Sequence, residues 1–250
     1  MSDAGACAGK VVVIMGGSGG IGAAAAAFFA AAGARVVIGY RGNRDAAEAL
    51  LSELPGSGHI AGKVDITDTP SIHALRDRVA GEMGRADILV NSAGTTTPVP
   101  HADLEGLTDE IIDTVFASNW RGVFATIRAF APMLKASGDG VILNVSSIAA
   151  FKGFGSSVAY CGAKAGLDAM TRTLALALAP EIRVLSISPG VVDTGFVPGR
   201  TREQIAKAGA ATPLGKVTRP ADVGEAIFAA AVHLRHSTGT RIVVDAGRSL

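Results

Sequence analysis

The sequence predicts a doubly wound α/β domain in which seven strands form one parallel sheet and helices cover both of its faces. Three observations carry that prediction. Short β-branched runs alternate with helical segments along all 250 residues. The strands read as continuous apolar stretches, which a sheet buried on both faces requires. No shift of composition marks a linker, so residues 1–250 read as a single domain with right-handed crossovers.

Each element follows from its residues. Lys10 to Met15 is a β-branched run that stops at glycine, and Ala23 to Ala32, nearly all alanine and phenylalanine, reads as the helix after it. Strands at Arg35–Gly39, His59–Val64 and Ala86–Asn91 alternate with helices at Asp45–Leu54 and Ser71–Met83. A long helix is expected over Thr108–Lys135, then a strand at Gly140–Val145, a helix over Ser157–Ala179 and a strand at Ile182–Ser188. Pro220–Leu234 and Arg241–Val244 complete the alternation. Two polar segments break it: Gly94 to Gly106 after the fourth strand, and Gly195 to Thr218 after the sixth, with a short amphipathic piece around Arg202 to Ala208. Ligands of such sheets sit beyond the carboxyl ends of the strands, so both segments are expected to wall a substrate, residues 195–218 as a mobile lid. That lid offers Phe196, Val197 and Leu214 and no evident charged anchor.

Composition narrows the function. Apolar residues make up 48% of the chain, and 23 basic against 22 acidic side chains leave a net charge of +1 with no basic run longer than a pair. Nucleic acid is not an expected partner. The amino-terminal stretch resembles neither a signal peptide nor a membrane span. Cys7 and Cys161 fit no C-x-x-C pattern and read as two reduced thiols of a cytoplasmic protein, Cys161 as a small packing residue rather than a nucleophile. The five histidines form no metal-ligand pattern, and no metal is expected.

Gly16, Gly20 and Gly22 stand at the exit of the first strand. Glycine lets backbone approach a pyrophosphate, and the helix that follows presents its N–H groups and dipole to the charge. Before an alanine helix at the first strand of an alternating chain, this turn predicts a Rossmann-like dinucleotide site. The second strand ends I-G-Y-R-G-N-R, where an acid would grip an NAD ribose, and no acid appears before Asp45. Tyr40 takes that place, while Arg41 and Arg44 suit a 2′-phosphate, so NADP is favoured over NAD. Asp65, ending the third strand, would accept from the adenine amino group, and Asn91, Ala93 and Gly94 would lie near the adenine-side ribose.

Between Ser147 and Lys164 the chain reads S-I-A-A-F-K-G-F-G-S-S-V-A-Y-C-G-A-K. On a helix, Tyr160 and Lys164 share one face a turn apart. Their spacing alone describes any surface pair, but with a serine at the end of the preceding strand and a nucleotide turn upstream it predicts chemistry. A nearby ammonium favours the phenolate and lowers the tyrosine pKa, and the Ser147 hydroxyl would hold a carbonyl or alcohol oxygen against the phenol. Such a site moves protons on and off carbon-bound oxygen.

Together M-G-G-S-G-G-I-G, N-S-A-G from Asn91, N-W-R-G from Asn119, N-V-S-S from Asn144, Y-C-G-A-K and S-P-G-V-V-D-T from Ser188 resemble the short-chain dehydrogenase/reductase family over essentially the whole chain. The resemblance implies hydride transfer between nicotinamide C4 and a carbonyl or alcohol carbon. It makes Tyr160 the acid/base, Ser147 the group holding the reacting oxygen and Lys164 the residue holding the nicotinamide ribose. Asn119 becomes the residue that links Lys164 to solvent through a water, although capping within a buried helix is its plainer reading. Ser18, Ile21, Ile66, Pro189 and Gly190 are implied around the dinucleotide, with Val192 and Thr194 orienting the carboxamide. Met15, Ser92 and Ala246 depart from the family pattern, and Gly19 stands where many NADP-using members carry a base.

The implied substrates are 3-oxoacyl thioesters, sugars or polyols, or cyclic ketones. A non-enzymatic dinucleotide sensor is the competing reading, and the intact serine, tyrosine, lysine and asparagine set opposes it. Lys135 hints at an acidic carrier protein, while the apolar end of the Tyr160 helix followed by Glu181 points away from one. Leu167, Met170, Leu174 and Leu178 form a stripe that serves either the core or a subunit contact. The resemblance implies a homotetramer, with a homodimer as the lesser assembly.

Overall fold

The computed structural model describes residues 3–250. Seven parallel strands run β1 (Val11–Met15), β2 (Arg35–Tyr40), β3 (Ile60–Lys63), β4 (Ile88–Asn91), β5 (Gly140–Val145), β6 (Ile182–Pro189) and β7 (Arg241–Val244). Their order across the sheet is β3-β2-β1-β4-β5-β6-β7. The order reverses between β1 and β4, and a crevice opens there beyond the carboxyl ends of the strands.

Strand periodicity sorts the core into two layers. Val12, Ile14, Val36, Ile38, Val90 and Leu143 face α1 (Gly20–Ala31), α2 (Arg44–Glu53) and α9 (Pro220–Val232). Their neighbours Val11, Val13, Met15, Val37, Leu89 and Ile142 face α3 (Thr69–Met83), α5 (Val123–Ala136) and α7 (Val158–Ala177). Both faces of the central strands are buried, so their residues are mostly apolar, and each fully buried aliphatic side chain contributes about 1.5–3 kcal/mol. Gly224 of α9 allows close helix packing: a Cβ there would lie 2.9 Å from the backbone of Ala25. Leu167 and Met170 are buried in the second layer and Leu174 and Leu178 pack against it, so that stripe serves the core.

Three boundaries differ from the sequence expectation. α1 begins at Gly20 rather than Ala23, so its free N–H groups lie inside the glycine turn. The run expected as one helix over Thr108–Lys135 is α4 (Asp109–Phe116), a π-helical turn at Ala117–Gly122, then α5. A short helix, α6 (Ala149–Lys152), separates Ser147 from α7, closed by Gly153 in the left-handed region. The amphipathic piece of the 195–218 segment is α8 (Arg202–Ala210), started by a Thr201–Gln204 capping box.

A buried acid that the sequence reading passed over anchors the sheet at its other end. Asp87 is fully buried, accepts from the Val11 N–H at 2.9 Å and from Arg85 at 2.6 Å, and pairs with Lys10 at 3.4 Å. Burial opposes its charge, yet those hydrogen bonds hold its pKa below the usual carboxylate value.

Candidate active site

The glycine turn is sterically committed. Gly16 has φ +75°, and a Cβ there would lie 2.8 Å from the Ala93 backbone; one on Gly22 would run into the Gly16 carbonyl oxygen. One on Gly20 would meet the Thr194 methyl at 2.8 Å, so the turn also abuts the loop after β6. No side chain caps α1. Its first N–H groups and positive dipole end remain available to an anion, and the cradle fits a dinucleotide pyrophosphate. Ser18 and Ile21 lie partly buried in the turn.

At the end of β2, Tyr40 packs against the first core layer and Arg41 is exposed. Arg44 opens α2 and, on the exposed surface, pairs with Glu48 at 2.7 Å. Asp65 accepts from both the N–H and the hydroxyl of Thr67, which, with a smaller contribution from Arg41, hold its pKa low; Ile66 beside it is buried. The Asn91 side chain is also committed. It donates to Asn144 at 2.9 Å and accepts from Thr126 at 2.7 Å, and Asn144 donates to Thr171 at 3.0 Å. Asn91 therefore offers a ligand only backbone. The buried chain Thr126–Asn91–Asn144–Thr171 ties α5, β4, β5 and α7 together behind the site. Sequence reading missed it, because four isolated polar residues carry no pattern.

β5 delivers Ser147 and α7 delivers Tyr160, whose N–H is capped by Ser157 at 3.3 Å. Ser147 Oγ accepts from the Ala149 N–H at 3.1 Å and is close enough to the phenol to favour its ionised form. Lys164 is buried, donates to the Val145 carbonyl at 2.7 Å and lies 5.7 Å from the Tyr160 ring centroid. Burial, rather than this amine, dominates the titration of the tyrosine. Burial raises the Tyr160 pKa to about 12 against the opposing effect of Ser147, and burial lowers that of Lys164 to about 8 against the pull of Asp168. Desolvation is the largest influence on each group. The phenol thereby stays protonated at neutral pH.

Asn119 sits in the π-helical turn. Its amide donates to Thr95 at 2.7 Å and Val115 at 2.9 Å, while its Oδ1 is buried without a partner among the described residues. That oxygen faces Gly94: a Cβ there would lie 2.6 Å from it and 4.0 Å from Lys164 Nζ. Capping is thus true of the amide, and the free acceptor is placed toward Lys164. The π turn, which shifts side-chain register, often marks functional positions. Asp168, a turn beyond Lys164, pairs with Arg241 at 2.8 Å, a partner that no sequence spacing indicated.

A cavity of about 400 Å³ joins these groups, including Ser147, Tyr160, Lys164, Gly190, Val192 and Thr194. Pro189 ends β6, and Val192 bridges to Thr218, fixing the loop. Phe196 lies 6.0 Å from Tyr160, ring to ring. The cleft is also lined by Arg200, from the 195–218 segment, and by Arg248 from the carboxyl-terminal tail. Cys161 is partly buried and its thiol is pushed up by burial, in keeping with packing rather than nucleophilic use.

Comparison with known proteins decides the lineage. The family model described as enoyl-(acyl carrier protein) reductase matches residues 16–249. A cis-4-hydroxycyclohexanecarboxylate dehydrogenase from Sinomonas cyclohexanicum is 38% identical over 221 residues, 86% of each chain. The 3-oxoacyl-(acyl-carrier-protein) reductase of Thermotoga maritima is 34% identical over 225 residues, 86% of this chain and 87% of that one. A short-chain dehydrogenase/reductase crystal structure from Brucella melitensis superposes with a TM-score of 0.91 at 27% identity, covering 98% of each chain.

The chain belongs to the short-chain dehydrogenase/reductase family. It is an NAD(P)-linked oxidoreductase of the carbonyl and alcohol type. Within that family, Ala246 occupies the left-handed region at φ 56°, where glycine is the unstrained residue. The sequence departure there has a backbone cost rather than a chemical one.

Proposed function

We propose that this protein is an NADPH-preferring carbonyl reductase in which Tyr160 is the general acid. The observation that carries this reading is the meeting of Ser147, buried Tyr160 and buried Lys164 in one cavity, with the amine 5.7 Å from the phenol ring centroid. Bound NAD(P)H supplies a hydride from its nicotinamide C4. Ser147 and Tyr160 converge two hydroxyls on one substrate oxygen, and Tyr160 passes its proton to that oxygen as it becomes an alkoxide, a stronger base than a phenolate. Lys164 holds positive charge beside the phenolate that remains. The free Oδ1 of Asn119 offers an acceptor through which a water returns the proton from solvent. In the opposite direction the same groups oxidise a secondary alcohol.

Arg41 supports the NADP preference, being exposed and free of ion pairs among the described residues. The cradle of Gly16, Gly20 and Gly22 takes the pyrophosphate, Gly94 and Ala93 the ribose side, and Val192 with Thr194 the carboxamide. Residues 195–218 act as the lid. The relatives suggest 3-oxoacyl thioesters or cyclic hydroxy acids as substrate classes. Exposed Phe116, Trp120 and Leu176 support self-association of α4, α7 and the π turn into a homotetramer, which light scattering would test. The two unpaired cysteines favour the cytoplasm; no helix among the described residues is long and apolar enough to cross a membrane.

The deciding experiment is Tyr160→Phe, assayed by NADPH oxidation against a panel of thioesters, diketones, sugars and cyclic ketones. Turnover falls at least about 10²-fold while dinucleotide fluorescence still titrates. Turnover within a factor of about two of wild type would favour the sensor reading or another acid.

A further inference from the structure

We propose that Arg200 and Arg248 form an anchor for an anionic oxygen group, a carboxylate or a phosphate, carried by the substrate itself, so that the cleft selects oxo or hydroxy anions over neutral ketones and alcohols. The proposal rests on the Tyr160 oxidoreductase reading above and specifies its substrate class.

The cleft is charged on one side only. Lys152, Lys164, Arg200 and Arg248 line it and no aspartate or glutamate does, in a chain whose acids and bases otherwise balance at 22 to 23. Several arginines elsewhere pair with carboxylates, among them Arg44 with Glu48, Arg78 with Glu82, Arg85 with Asp87 and Arg219 with Asp222. Arg200 is partly buried, and among the described residues its guanidinium has neither a hydrogen bond nor an ion pair. Arg248 spends one N–H on the Ala208 carbonyl at 3.0 Å and meets no acid. Burial, and then Arg248, push the Arg200 pKa down. Two partly buried cations in one cleft repel each other, and an anion between them relieves both.

The geometry is built. Asp245 accepts from the N–H groups of Gly247 and Ser249 at 2.8 and 2.7 Å, folding the carboxyl-terminal tail back over the cleft. Lys152 Nζ bonds the carbonyl of Arg248, and Ala246 takes its left-handed backbone in the same turn. Arg200 follows Phe196 and Val197 on the loop that covers Tyr160, and its charge reaches the phenol, favouring the phenolate. A substrate thus meets apolar walls around the reacting carbon and a guanidinium fork at its charged end, a shape suited to bidentate carboxylate or phosphate binding. The dinucleotide's own phosphates have the glycine turn and the start of α1.

The test compares matched substrates. Linear and cyclic oxo acids are assayed against their methyl esters, and an acetoacetyl thioester of coenzyme A against that of N-acetylcysteamine, in wild type, Arg200→Gln and Arg248→Gln. For a carboxylate anchor, kcat/KM for acid exceeds that for ester, and the ratio falls about 10- to 100-fold in Arg200→Gln, chiefly through KM. For a phosphate anchor, the coenzyme A arm holds the advantage and loses it in the variants. Equal rates for charged and neutral partners in wild type, or ratios untouched by both substitutions, overturn the anchor. So does a change confined to the KM for NADPH. If no compound in either series is reduced, the Tyr160 reading has failed instead; active neutral esters with no preference for acids sink the anchor alone.

Discussion

Lys164 Nζ lies 5.7 Å from the centroid of the Tyr160 ring yet gives its hydrogen bond to the Val145 carbonyl, 2.7 Å away. The amine is held by the end of β5, the strand that also presents Ser147. Both titrating groups are dry, and burial pushes them apart to about 12 for the phenol and about 8 for the amine.

That separation predicts a directional pH dependence. Reduction uses the protonated phenol, which is fully populated at neutral pH, so its single-turnover rate is flat from pH 6 to about 8. Oxidation needs the phenolate, whose fraction rises about tenfold per pH unit below the phenol pKa. Stopped-flow rates in both directions check this. Parallel profiles would show that Tyr160 is not the titrating acid.

Lys164 also carries a stability cost. Its folded pKa is depressed from 10.5 to about 8, so the folded state binds a proton more weakly than the unfolded chain. The penalty is fully present below pH 8 and disappears as pH rises from 8 to 10.5. A gap of that size corresponds to about 3 kcal/mol, reduced by about 1 for the lost Val145 hydrogen bond when the amine is removed. Lys164→Met is expected to raise the stability of the protein without dinucleotide by about 2 kcal/mol at pH 6, less at pH 10, while nearly abolishing turnover. Urea titrations at the two pH values decide it; a destabilised variant at pH 6 would contradict the argument.

For the dinucleotide, Arg41 and Arg44 separate cleanly. Arg41→Asp moves the NADPH to NADH ratio of kcat/KM down by about 10- to 100-fold, the worth of a charge-assisted contact. Arg44→Ala, which removes only an exposed pair with Glu48, leaves that ratio within about twofold. An unchanged ratio in Arg41→Asp would remove that residue from the phosphate site.

Ala246 holds φ 56° in the turn that carries Arg248. Ala246→Gly relieves about 1 kcal/mol of left-handed strain, partly offset by the greater freedom of glycine in the unfolded chain. Thermal unfolding should shift upward by a few degrees at most. A fall in Tm would mean that the alanine methyl packs better than its backbone suffers.

The order of elements, the two faces of the sheet, the glycine turn and the Ser147, Tyr160 and Lys164 triplet were legible in the chain. Each rests on local chemistry: strand and helix periods, β-branching, and glycines that any Cβ would obstruct at Gly16 and Gly22. Tertiary structure decided the rest, because desolvation and long-range pairing have no local pattern. Only packing makes Tyr160 a poor acid and Lys164 a weak base, occupies Asn91 with Thr126 and Asn144, and leaves the Asn119 oxygen free. Residues 48 positions apart, Arg200 and Arg248, share one cleft because the tail folds back over the sheet, a closure that sequence spacing does not encode.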